Sequence, residues 1–358
     1  MSSQQIQDTR FSNQYNNYRN NAYQFSLNVG IAGNVNLSNL KIVHLNQSLR
    51  DITSILYIEL PFTLETIGDS IFRGCSNLRT IRIPDSVSSI GAKCFLHCKS
   101  LASIHLPTNL RDIPYACFGD NLIKTIQIPN SVTKIGKRAF EYCKELRELV
   151  IPDSVKEIGK SCFSGCMFLS SVKLPSGITA LHNRTFMGCV LEQIRLPPKL
   201  ERIGESCFYM NPFNSIYIPD SVTYLGSRCF QGGCLHTIHL PSKLVKMGDF
   251  CLNDNPYLNR EKLSIPSTLT MIGLGAFSQT ASSRKIRIAE ERDDDLENIT
   301  DSEEIDENYD ATRMLLIREL PRVRWSYEET GLDQSEDESI ENLFPSEEYD
   351  EMSEESIE

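Results

Sequence analysis

Twelve cysteines and six histidines are the residues of this 358-residue chain best suited to hold a metal, form disulfides or attack a substrate. Their spacing points elsewhere. Cys94, Cys117, Cys162, Cys207, Cys229 and Cys251 each lie ten residues after a proline, and Cys75, Cys98, Cys143, Cys166 and Cys189 lie fourteen after one. Cys234 is one residue out of step. Cys94 and Cys98, like Cys162 and Cys166, are spaced by one helical turn and not as the C-x-x-C knuckle of a zinc site. Ala139 and Ala276 occupy the same column as the first six cysteines. A column that accepts Ala or Cys wants a small buried residue, a role free cysteine fills. The expectation is therefore twelve free thiols, no zinc and a reducing compartment. His44, His97, His105, His182, His236 and His239 form no pair at ligand spacing with carboxylates or cysteines. No nucleophile elbow, phosphate loop or metal motif is present. Ser86, Ser131, Ser154 and Ser221 recur two residues after a proline and suit a turn better than a nucleophile. These patterns predict a protein that is not an enzyme and carries no cofactor.

The prolines that organise the cysteines stand at Pro61, Pro84, Pro107, Pro129, Pro152, Pro175, Pro197, Pro219, Pro241 and Pro266, at intervals of 22 to 25 residues. An apolar-x-apolar pair precedes each, as in Ile81 and Ile83, Ile126 and Ile128, or Ile194 and Leu196. Six residues after the proline comes an apolar residue such as Ile90 or Ile135, and eleven after nine of the ten comes phenylalanine, from Phe72 to Phe277. A fixed period in this range marks a solenoid, because one coil cannot bury its apolar face alone. The apolar-x-apolar stretch alternates with period two and reads as a short strand, ended by the proline, which cannot donate to a ladder. Neighbouring coils then pair these strands in parallel. A glycine seven residues after the proline (Gly68, Gly91, Gly136, Gly159, Gly204, Gly226, Gly248, Gly273) is expected to permit a bend. The stretch after it, such as Lys137-Arg-Ala-Phe-Glu-Tyr-Cys143, is expected to make one short helical turn on the outer side.

The pattern I-x-I-P-x-S-V-x-x-I-G-x-x-[AC]-F-x-x-C-x-x-L, present here from Ile126 to Leu146, closely resembles the BspA-like leucine-rich repeat family over about residues 40 to 289. The resemblance implies a parallel solenoid that serves in recognition and brings no catalytic residues. It also implies a kinship with surface proteins of bacteria and unicellular parasites. Three positions depart from the pattern. Pro114 and His182 replace the bend glycine, and Asn46 stands where a first proline would be.

Charge divides the chain. Residues 289–358 hold 27 Asp and Glu against 5 Arg, a net of −22, which leaves 20 acidic and 31 basic residues before them, a net of +11. The acidic segment is too poor in apolar residues to offset its ordering entropy and is expected to be mostly disordered. The organisation expected is a disordered Asn/Gln-rich stretch over 1–23, a capping coil over 24–60 and a repeat solenoid of about ten coils over 61–289. An acidic tail over 290–358 follows, with an ordered-looking island at 314–327. No apolar run reaches the roughly 18 residues of a membrane helix, and the first ten residues lack an apolar signal region. The expectation is a monomer in the cytoplasm or nucleus, the alternative being the cell surface by a non-classical route. Asn36-Leu-Ser and Asn183-Arg-Thr fit the glycosylation triplet that the alternative would use.

The residue between the two core residues of each strand must face outward. Down the chain this column reads Glu59, Arg82, His105, Gln127, Val150, Lys173, Arg195, Tyr217, His239, Ser264 and Arg287. Arg82, His105, Gln127, Lys173, Arg195, Tyr217, His239 and Arg287 are the candidate partner-binding residues. Their polar, partly basic character suits an acidic peptide or protein surface. Sparse aromatic platforms and the negative overall charge argue against nucleic acid. In the tail, Arg322-Val-Arg-Trp325 resembles the RVxF docking motif of protein phosphatase 1 regulators in its tryptophan variant. That resemblance carries over to Arg322, Val323 and Trp325, as an added strand with two apolar anchors. The functional expectation is a protein-binding scaffold whose tail recruits the phosphatase or masks the solenoid. The alternative is a cell-surface adhesin of a unicellular organism.

Overall fold

Each coil of the chain turns three sides around one apolar interior, and the computed structural model describes this for residues 34–278 and 280–281. The first side is the pre-proline strand, seen at Thr80–Arg82, Ser103–His105, Glu148–Val150, Ser171–Lys173, Ser215–Tyr217 and Thr237–His239. In all six the middle residue is buried and its neighbours are exposed. Pairing is parallel and one coil out, as in Arg82 beside His105, Val150 beside Lys173 and Tyr217 beside His239.

This ladder comes in pieces: four strands from Asn34–Asn36 to Ser103–His105, then two pairs. The strands expected at Ile126–Ile128 and Ile194–Leu196 do not pair. Most of these gaps track coil length. The intervals change from 23 to 22 residues at Pro129, back to 23 at Pro152, to 22 at Pro197 and to 25 at Pro266. Each change coincides with a break in this ladder. The step from Arg195 to Tyr217 is also open, and nothing in the structure explains it.

The second side is a two-residue strand five and six residues after the proline, such as Ser89–Ile90, Lys134–Ile135 or Tyr224–Leu225. These stack as sheets of three, three and five strands. The first sheet opens with His44–Leu45, which pairs with Thr66–Ile67, so Asn46 stands level with the glycine column and not, as expected, with the prolines. The glycine that follows most of these strands explains both the stacking and its two interruptions. Its N–H donates to the preceding coil, as from Gly136 to Ile113 O at 2.7 Å and from Gly159 to Ile135 O at 2.8 Å. A Cβ on Gly159 would sit 2.4 Å from Lys137 N, and one on Gly91 2.3 Å from Asp69 N. The glycine is thus required for close approach between coils and not for a bend: none of these glycines has positive φ. The sheet breaks where Ser89–Ile90 meets Asp112–Ile113 and where Glu157–Ile158 meets Ala180–Leu181. Pro114 and His182 stand there in place of glycine. Proline lacks the N–H, and neither residue can approach as closely as glycine.

The third side is a run of turns, the only helical element among the described residues being a 3-10 turn at Arg260–Lys262. Its N–H groups bond to the next coil and not four residues back. Phe95 donates to Cys117 O at 2.9 Å and His97 to Gly119 O at 3.0 Å. Two residues per coil reach this geometry with positive φ, for example Lys93 at 55° and His97 at 62°. Such angles exclude a continuous helix.

Inside, phenylalanine rings from Phe72 to Phe230 stack coil upon coil. Phe72 and Phe95 lie 5.1 Å apart, and Phe186 and Phe208 lie 5.7 Å apart with planes within 6°. These are offset-stack distances. Eleven of the twelve cysteines are buried, Cys234 alone being exposed. Burial pushes the thiols of Cys75, Cys143 and Cys251 up to about 12, so they are neutral and unreactive. Cysteines fourteen residues after the proline do more than pack. Cys98, Cys143 and Cys189 donate to the carbonyls of Phe72, Phe118 and Phe163 in the coil before, at 3.0 to 3.2 Å. Asn211 and Asn255 hold the same column and reach Phe186 O and Phe230 O at 2.8 Å.

Candidate partner-binding face

The pre-proline strands bring the candidate residues together on one side of the coils. Arg82, His105, Gln127, Lys173, Arg195, Tyr217 and His239 are all exposed. Gln127 and Arg195 share this exposure although their segments do not pair as strands. Arg287, and with it Arg322, Val323 and Trp325, lies outside the described residues.

Cations outnumber acids on the face, which comprises the column and the residues two before it: Lys262 flanks Ser264, and the exposed Glu148 flanks Val150. Arg82, Lys173, Arg195 and Lys262 form no ion pair within 4.0 Å among the described residues. Glu59, the acidic member of the column, accepts a bond from Asn36 Nδ2 at 2.6 Å. One residue past the proline, Asp85, Asp153 and Asp220 cap the N–H groups of Thr108, Ser176 and Ser242 in the following coil at 2.7 to 2.9 Å. Those backbone bonds hold the three carboxyls below the usual carboxylate range, with nearby cations adding to the effect. The aspartates therefore serve the scaffold, and the cations remain available to a partner.

Two shallow depressions interrupt the face. One of about 310 Å³ lies near its start, lined by Glu59, Arg82, Pro84 and Phe62, which is 79% exposed. The other, about 360 Å³, lies between Ser215, Tyr217, Thr237, His239, Lys262 and Ser264. Both are open to solvent and leave room for a side chain of a partner.

Among the described residues, no three of His, Cys, Asp and Glu converge as a metal-binding set, and no helix is long and apolar enough to cross a membrane. The glycosylation triplets are engaged in the fold. Asn183 Oδ1 accepts from Glu205 N at 3.1 Å, and Thr185 is fully buried with its hydroxyl on His182 O. Asn36 is occupied by Glu59 and by Ser38 N and Oγ.

A sequence profile for the BspA-type leucine-rich repeat region matches in six copies, over residues 33–147, 133–259 and 256–302. The chain belongs to that family. Among solved structures it is similar to a leucine-rich repeat protein from Bacteroides ovatus, at 23% identity and a TM-score of 0.49, over 73% of this chain and 80% of that one. It is also similar to a leucine rich cell surface protein from Faecalibacterium prausnitzii, at 22% identity and a TM-score of 0.44, over 75% and 95% of the two chains. The leucine-rich repeat protein of T. pallidum is 28% identical with a TM-score of 0.39, over 59% and 86%. No curated protein matches the chain.

In this BspA-type chain the column pattern locates the face, but two of its features escape the pattern. Tyr217 and His239 stack on one another, with ring centroids 4.6 Å apart and planes within 7°. His236 and Tyr257 form a second stacked pair at 4.9 Å. Adjacent ring-bearing positions in one column were the available signal for the first pair. Tyr257 lies between Asn255 and Ser264, in the part of the 25-residue coil that is longer than in its neighbours and matches no repeated position. On the outer side, Arg138 Nε approaches Glu141 Oε2 at 3.5 Å. Burial raises the Glu141 carboxyl to about 7 against the opposing pull of Arg138, Lys137 and Arg184.

Proposed function

We propose that the chain is a non-enzymatic scaffold that binds an acidic protein surface or peptide through its pre-proline face. The observation that carries the reading is the contrast along each strand. The middle position is isoleucine, leucine or valine throughout, buried except at Ile194 and Leu263, which are partly buried. The exposed column beside it is varied and polar, and its cations lack ion partners among the described residues. Repeat scaffolds use such rigid, variable columns to bind partners, and cations on them favour acidic partners and raise association rates. The test replaces Arg82, Lys173, Arg195 and Tyr217 together by Ala and compares affinity capture with the wild-type chain. Loss of an acidic protein from the quadruple variant, with the melting temperature little changed, supports the reading. Equal capture moves the binding surface to the outer side bearing Lys137, Arg138 and Lys160.

The tail adds the narrower proposal that Arg322, Val323 and Trp325 dock protein phosphatase 1. Val323 and Trp325 as anchors would each contribute roughly 1.5–3 kcal/mol of apolar burial. Replacing both by Ala should remove the phosphatase from a pull-down while the solenoid stays folded. A phosphatase retained by the double variant rules this docking out. The site of action follows the same logic: an intracellular scaffold stays unlabelled when intact cells are surface-biotinylated, and an adhesin does not.

A further inference from the structure

The exposed column is distinctive at the end of its described part. From Tyr217 through His239 it carries two rings stacked face to face along the direction in which the coils follow one another. The next position is Ser264, in the coil whose proline interval is 25 residues. That coil forms no strand there; its chain arrives through the 3-10 turn Arg260–Lys262. The column therefore drops from a ring to a hydroxymethyl group, and the depression of about 360 Å³ sits at this step. One face of His239 is covered by Tyr217, and Ser264 lines the same depression as His239. Tyr217 is 59% exposed, so the stack stands in solvent and is not part of the core.

We propose that this step is the recognition hot spot of the face, where an aromatic side chain from an acidic protein segment continues the stack on His239 and its carboxylates meet Lys262. The proposal rests on the protein-binding reading and narrows it to three coils and one partner chemistry. A third ring at the ordinary offset-stack distance of about 4.5–7 Å occupies the space above Ser264. Aromatic and arginine anchors seated in well-packed pockets carry most of the energy in protein interfaces, and Tyr supplies large, rigid contact area at low entropic cost. Charge selects among ring-bearing partners. Lys262 borders the depression and has no ion pair among the described residues. It repels a partner's Arg or Lys and favours Asp or Glu next to the ring.

The experiment titrates the full chain with the synthetic peptide Asp-Glu-Tyr-Glu-Asp, with versions carrying Ala for Tyr or Lys for the acids, and with cellohexaose. The same titrations are run on His239→Ala, Ser264→Tyr, which fills the step, and Lys262→Glu. The acidic tyrosine peptide should bind the wild-type chain. Each variant, and each altered peptide, should weaken binding about tenfold or more, the loss typical of a hot-spot residue. Melting temperatures should stay unchanged, since all three positions are exposed. The proposal is overturned if no peptide binds, if the tyrosine and alanine peptides bind equally, or if His239→Ala and Ser264→Tyr both bind as the wild type. Binding of cellohexaose in place of the peptide, lost in the same variants, also overturns it in favour of a glycan. If replacing Arg82, Lys173 and Arg195 releases an acidic protein partner while these variants do not, the hot spot is refuted and the binding face stands.

Discussion

Replacing Cys189 separates two accounts of the cysteine column. Its thiol donates to Phe163 O at 3.2 Å in the preceding coil, and that carbonyl also accepts from Cys166 N at 3.3 Å. Ala at position 189 removes the first bond and leaves the second. One neutral hydrogen bond contributes about 0.5–1.5 kcal/mol, and the carbonyl is not orphaned, so the lower half of that range applies. The space left by sulfur adds a cavity cost, bringing the total to about 1–2 kcal/mol. Asn is larger than Cys, yet Asn211 in the next coil already spans this gap with an amide bond of 2.8 Å to Phe186 O. Both coils have 22-residue intervals, so the backbone at 189 can hold the same side chain. Cys189→Asn should therefore lie within about 1 kcal/mol of the wild type, where Cys189→Ala does not. Urea unfolding under reducing conditions, with equal slopes for the three proteins, reads the difference. If Asn costs as much as Ala or more, the column selects for size, and the hydrogen-bond ladder is not what holds the coils together.

The Glu141 carboxyl is raised in the folded chain to about 7 from 4.5. Its contribution is complete below about pH 4.5 and is lost as pH rises through 7, at roughly 1.4 kcal/mol for each pH step between those two values. Glu141→Gln should flatten the decline in stability between pH 5 and 8 measured by urea unfolding, and an unchanged decline would show the carboxyl to be solvated. Gly159→Ala forces a Cβ to within 2.4 Å of Lys137 N. It should destabilise the fold by at least the 1–3 kcal/mol typical of overpacking, whereas Gly177→Ala, whose Cβ would meet nothing nearer than Lys156 Nζ at 3.6 Å, should not.

The period, the core columns and the pre-proline strands were legible in the sequence because each rests on residues recurring at fixed offsets. What was not legible rests on contacts between coils. The two-residue strands such as Ser89–Ile90 are too short for alternation to show. The glycine column looks the same whether it serves a bend or a close approach, and only the 2.3–2.4 Å clearances at Gly91 and Gly159 decide. Cys98 and Asn211 look unrelated until both are seen to reach a phenylalanine carbonyl one coil back. The exposed column was legible residue by residue. Its stacking of Tyr217 on His239 was not, since it depends on which neighbouring coils keep register.

Hydroxyl-radical footprinting tests the central claim most directly, using the acidic partner that the wild-type chain captures and the quadruple variant loses. The account predicts that this partner shields His105, Tyr217 and His239 on the pre-proline face, with Tyr57, the exposed first residue of the strand Tyr57–Glu59. Met167, Phe168 and Met210, exposed on the outer side, should be labelled as in the free chain. Shielding of Met167, Phe168 and Met210 with Tyr217 and His239 still labelled would contradict it.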